Sequence, residues 1–136
     1  TLFQTCALPI EEWAGHNGVK LPFVPEDVEQ PFHLFYLCLP SLQERQRMID
    51  FLGDRGIQSL FHYQPLHLSQ MGRSFGAQPG DCPVAEEISE TILRLPLYTE
   101  LTDEEQGYII RRILEFEVEK SALISTDSGS CLVSKV

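Results

Sequence analysis

The side chains best suited to chemistry gather in the run His62-Tyr63-Gln64-Pro65-Leu66-His67, two imidazoles and a phenol within six residues. An imidazole can donate, accept or carry a proton near neutral pH, and a phenol can donate a hydrogen bond to a ligand oxygen. At the end of a strand, where α/β layers commonly place ligand-contacting groups, the run reads as a polar clamp for a substrate. The other reading makes one imidazole a satisfied structural residue and the other a solvated loop side chain. No third ligand stands at metal-like spacing, so no metal site is expected. His33, at the opening of an apolar strand, is a further candidate, although a lone histidine there is more often bonded to backbone than catalytic. Cys38 lies between leucines and reads as an inert core thiol, and Cys82 has no base near it in sequence, so neither reads as a nucleophile. Arg73 and Arg94 are isolated cations that could meet an anionic ligand.

What the chain lacks narrows the chemistry further. Its only lysines are Lys20, Lys120 and Lys135, so residues 31–116 offer none for a Schiff base. There is no G-x-S-x-G, no P-loop and no dinucleotide glycine fingerprint. The segment therefore reads as part of a site rather than a whole catalytic apparatus.

The elements that must position these groups follow from periodicity and caps. Residues 32–39 are dense in aromatic and aliphatic side chains and stop at Pro40, which predicts a central strand buried on both faces. Ser41-Leu42-Gln43-Glu44 has the form of a capping box and predicts a helix, with Leu42, Arg45, Met48, Ile49 and Leu52 facing inward and Gly53 or Gly56 ending it. Residues 57–63 predict a second strand. The stretch 66–83, rich in glycine and proline, is too long for an idle connection and reads as a working loop. Asp81 is expected to cap a helix with Pro83 in its first turn and Ile88, Ile92 and Leu93 inward, followed by a short extended segment at residues 94–98. A second capping box, Thr102-Asp103-Glu104-Glu105, opens a helix with Tyr108, Ile109, Ile113 and Phe116 at helical spacing, acids at its start and Arg111 and Arg112 near its end.

The flanks look different. Residues 1–10 carry no period, cap or turn signal, and Gln4-Thr5-Cys6-Ala7-Leu8-Pro9-Ile10 resembles the translation of a common sequencing-adapter end. They are expected to be a non-native leader. Residues 11–31 read as a connector with a short helical turn around Trp13, residues 32–116 as the domain, and residues 117–136 as a disordered tail.

Composition sets the remaining bounds. With 43% hydrophobic residues in 136, one small domain with its own core is expected. The formal charge of -10 argues against nucleic acid and anionic membrane surfaces as partners. Four scattered cysteines without a C-x-x-C pair fit a reducing, cytoplasmic setting, and no apolar run approaches a membrane span.

Several stretches together carry a family likeness. The residues HLFYLCL, GIQSLFHYQPLH, CPVAEEISETILRLPLY and LTDEEQGYIIRRIL resemble the C-terminal part of the DegT/DnrJ/EryC1/StrS family of sugar aminotransferases, over about residues 22–116. Within that family the resemblance is to the dTDP-4-amino-4,6-dideoxygalactose transaminase subgroup. It implies a fold-type-I enzyme whose large domain binds pyridoxal 5'-phosphate and supplies the lysine, with this chain as the small α+β domain. That domain would be a small, mostly antiparallel sheet with helices on one side. It further implies transfer of an amino group from L-glutamate to a nucleotide-linked keto sugar, here a dTDP-4-keto-6-deoxyhexose, by a homodimer. His62 and Tyr63 match positions expected to approach the sugar or its pyrophosphate. His33 matches a position lining the domain interface, and His67 one that fixes the loop or also meets substrate. Without the large domain the chain alone is expected to be inactive. A dehydratase of the same family and a stand-alone small-molecule binding or regulatory domain remain the alternatives.

Overall fold

The computed structural model describes residues 2–29 and 33–119. Helix α1 spans Leu2–Asn17, strand β1 Phe35–Cys38, helix α2 Leu42–Gly53 and strand β2 Leu60–Phe61. A 3₁₀ turn at Leu66–Leu68 and the short helix α3, Gln70–Ser74, lead to helix α4 at Pro83–Thr91, strand β3 at Ile92–Leu95 and helix α5 at Asp103–Leu114. This is the α+β domain expected from the sequence, with a three-stranded antiparallel sheet in the order β1-β3-β2.

The centre of the sheet is not the strand the sequence singles out. β1 is an outer strand, and β3 pairs with it through Phe35 opposite Leu95 and Leu37 opposite Leu93, and with β2 through Leu60 opposite Arg94. Leu37 and Leu39 are nonetheless buried in the core, with Phe35 partly buried against it. The expected inward helical residues Ile92 and Leu93 belong instead to β3, because α4 ends at Thr91, and both are buried. The second strand is also shorter than the run 57–63 suggests, two residues long.

The core lies between sheet and helices. Leu37 and Leu93 from the sheet, Met48 and Leu52 from α2, and Ile113 from α5 are fully buried. Each such side chain withdraws enough apolar surface to contribute about 1.5–3 kcal/mol. Phe116, just past α5, meets Phe51 edge-on with ring centroids 5.4 Å apart.

The two capping boxes part ways. At α5 the box is complete: the Thr102 hydroxyl accepts from the Glu105 amide and the Glu105 carboxylate accepts from the Thr102 amide. At α2 Ser41 accepts from the Glu44 amide, while the buried Glu44 carboxylate takes two hydrogen bonds from Arg47 at 2.6 and 2.7 Å. The stripe assignment shifts with it, since Glu44 is inside and Leu42 is 41% exposed. At α4 the cap is Cys82 rather than Asp81, whose carboxylate instead accepts from the Gln78 amide and closes the preceding turn.

Residues 11–17, read from sequence as connector, continue α1. Ile10, Trp13 and Ala14 recur at three- and four-residue spacing and are buried. The indole Nε1–H of Trp13 donates to the Phe116 carbonyl at 2.7 Å, and the Asn17 side-chain oxygen accepts from the Val118 amide at 2.8 Å. These bonds tie the end of α1 to the chain after α5. Of the expected tail, residues 120–136 lie outside the described residues.

Candidate functional site

The chain leaves β2 and within one residue presents His62 and Tyr63, whose ring centroids are 4.8 Å apart. The two side chains line a cleft of about 370 Å³ to which α2 contributes Arg45, α3 Arg73 and the end of α4 Glu90. Tyr63 is 77% exposed, so its hydroxyl is available to a ligand. His62 is half-buried, and its Nδ1 finds no hydrogen-bond partner among the described residues. Arg45 is buried under this cleft: its Nη1 donates to the Ser89 carbonyl at 2.8 Å and its guanidinium lies 5.6 Å from the Phe61 ring. Burial pulls its pKa below the ordinary arginine value, against the opposing pull of Glu90. It therefore fixes α2 to α4 and lends positive potential to the floor of the cleft.

His33 stands elsewhere. It lines a groove of about 700 Å³ together with Arg94, Tyr98, Tyr108 and Arg111. Leu60 and Phe61, successive on β2, point to opposite faces of the sheet; the first lines this groove and the second the His62 cleft. The structure thus brings His62 and Tyr63 together with Arg73 and places His33 with Arg94. The two isolated arginines of the sequence fall one in each depression.

His67 takes a third position. Its Nε2 lies 2.7 Å from Oε1 of Glu86 in the first turn of α4, and the Gly80 amide donates to the same oxygen at 2.8 Å. The His67 hydrogen bond, first, and the Gly80 amide, second, hold the Glu86 carboxyl below the usual carboxylate range. The intervening chain is compact. Ser69 caps α3 by accepting from the Gly72 amide, and a Cβ added at Gly72 would run into the carbonyl oxygens of Leu66 and His67, 2.6 Å from the latter. Gly72 is required there by close backbone approach.

Two participants escaped sequence reasoning. Arg45 sits in a helical stripe of otherwise apolar residues, and a charge at an inward position is the signal that could have marked it. Glu86 sits in a helix's first turn, where an acid is ordinary, and nothing local connects it with a histidine 19 residues earlier. Among the described residues no group of three or more histidine, cysteine or acidic side chains could hold a metal ion, and no helix is long and apolar enough to cross a membrane.

Comparison with known proteins places this geometry in context. The sequence model of the DegT/DnrJ/EryC1/StrS aminotransferase family matches residues 9–114. A pleiotropic regulatory protein of Geobacillus stearothermophilus is 33% identical over 108 residues, 79% of this chain and 28% of that protein. UDP-N-acetyl-3-dehydro-alpha-D-glucosamine 3-aminotransferase of Acidithiobacillus ferrooxidans is 35% identical over 101 residues, 71% of this chain and 26% of that one. Among solved structures, DesV of S. venezuelae in complex with a ketimine intermediate superposes with a TM-score of 0.71 at 29% identity, covering 81% of this chain and 29% of DesV. The chain thus spans little more than a quarter of the length of these relatives.

Proposed function

The chain belongs to the DegT/DnrJ/EryC1/StrS aminotransferase family, and on that premise we propose that residues 32–116 form the small domain of a pyridoxal-phosphate-dependent sugar-nucleotide aminotransferase. The substrate pair is L-glutamate and a dTDP-4-keto-6-deoxyhexose, and the working enzyme is a cytoplasmic homodimer. The observation that carries this reading is the His62–Tyr63 pair, set at a strand end over a cleft with arginines in its wall and floor.

The residues present do not fit a Schiff-base site for the cofactor. Among the described residues the one lysine is Lys20, whose backbone is bridged to Cys38 beside β1. In this reading the cofactor, which would supply the carbanion chemistry, sits on another part of the longer polypeptide. The part of this chain is to bind and orient. The Tyr63 hydroxyl donates to a sugar or phosphate oxygen, the His62 imidazole donates or accepts beside it, and Arg73 draws the anionic end of the nucleotide. His33 lines the separate groove and faces the neighbouring part of the enzyme.

The test is kinetic, in a full-length enzyme carrying this segment. His62→Ala and Tyr63→Phe should each lower kcat/KM by about tenfold or more, the cost of losing one hydrogen bond to a charged ligand. Unchanged kcat/KM in both variants would remove the pair from the substrate site.

A further inference from the structure

We propose that His67 is a positioning residue: its bond to Glu86 latches residues 62–82 onto helix α4 and so holds His62 and Tyr63 at the mouth of their cleft. His67, near the start of this segment, and Gly80, near its end, converge on a single carboxylate oxygen, Oε1 of Glu86. One side chain on a stable helix thereby closes both ends of the excursion. The pair is largely shielded, with side-chain exposures of 12% for His67 and 23% for Glu86. The Nε2–H donates to the carboxylate whether the imidazole is neutral in that tautomer or cationic, so the contact does not depend on the histidine's charge.

Apolar burial is not what holds the segment. Leu66, Met71 and Phe75 are 86%, 66% and 84% exposed and Leu68 is only half-buried, which leaves directional bonds as the main attachment. Inside it, the close backbone approach at Gly72 packs α3 directly against the 3₁₀ turn. Only Gln64, Pro65 and Leu66 separate Tyr63 from His67, and Pro65, at φ -58°, makes that link stiff. A displacement at His67 is therefore passed on to Tyr63 and to the ring it touches, His62. Bonded to Glu86, the Nε2 of His67 acts through the pair rather than on a ligand.

The catalytic consequence rests on the reading of His62 and Tyr63 as substrate-facing, whereas the latch is a property of this chain alone and is tested on it. The experiment is amide hydrogen exchange by NMR on the 136-residue chain, with the ring resonances of His62 and Tyr63 followed in the same samples. In Glu86→Ala, exchange across residues 66–75 should rise by about tenfold or more while amides of Leu37, Leu93 and Ile113 keep their rates, and both ring resonances should shift. Glu86→Gln retains an acceptor oxygen and should bring exchange back to within about threefold of the parent. Should Glu86→Ala fail to fold, His67→Phe removes the donor while leaving Glu86 its Gly80 contact, and the same loop-specific rise is expected. Unchanged loop exchange, unmoved His62 and Tyr63 resonances, or a glutamine variant as loose as the alanine would each overturn the latch. Failure of the aminotransferase reading would leave all of these rates where they are, so the two failures are distinguishable.

Discussion

In the body of the domain the fully buried side chains are Leu37, Met48, Leu52, Leu93 and Ile113, and charge stays at the surface with few exceptions. Across residues 62–82 the order is reversed: Leu66, Met71 and Phe75 face out, while a histidine, a carboxylate and backbone amides meet on the inner side. The body is held by exclusion of apolar surface from water, which is strong but undirected. The segment is held by a few short bonds, each weak in net terms but fixed in direction. A domain built this way can keep its fold while the piece beside the cleft is adjusted or released.

The sharpest way to separate the two regimes is to remove volume from the body. Leu93→Ala should cost about 2–5 kcal/mol in urea unfolding, since Leu93 is fully buried at the middle of the sheet. A loss below about 1 kcal/mol would mean that the site collapses freely and that the body is not close-packed. A smaller, regional effect is expected on acidification. Because the folded-state pKa of Glu86 lies below its ordinary value, its bonds stabilise the segment above the ordinary carboxylate range, and that contribution is lost as pH falls through the depressed value. Protection of amides 66–75 should therefore decline from about pH 4 downward, ahead of the core amides, and by no more than about the threefold expected for Glu86→Gln, because a protonated carboxyl still accepts. Simultaneous loss in both regions would erase the distinction. Glu105, also lowered by its bonds to the Thr102 amide and hydroxyl, titrates in the same direction, but its loss frays only the first turn of α5. The smallest effect belongs to Phe75→Ser, which should alter unfolding free energy by no more than about 0.5 kcal/mol because the ring is exposed. A cost of about 2 kcal/mol would show the ring to be buried in solution and the segment to be held as the body is.

The same contrast explains what could be read in advance. α2 and α5 were legible because caps and a three-to-four-residue period are local, and Ser41, Thr102, Met48 and Ile113 all stand where the pattern puts them. β3 was legible only in its second half: Arg94 and Leu95 read as extended, while Ile92 and Leu93 were given to the preceding helix, because a four-residue strand is defined by partners more than 30 residues away. The length of α1 was missed for a related reason: beyond the short turn expected around Trp13, the helix is fixed by burial in the core and by the bond of Trp13 to the Phe116 carbonyl, 103 residues on. At the candidate site, His62 and Tyr63 were visible as neighbours in sequence. That His33 serves a different depression, and that His67 is spoken for by Glu86, depends on how separate elements meet and leaves no mark on spacing.

The shortness of β2 has a bearing on self-association. A sheet edge offers unpaired amides and carbonyls to any other extended chain, and long apolar edges recruit such chains into aggregates. Here one outer strand has two residues, and the other, β1, is met at Cys38 by the backbone of Lys20. Among the described residues both borders are short, four residues in β1 and two in β2, which limits what the half-exposed Leu60 and Phe61 offer to a further strand.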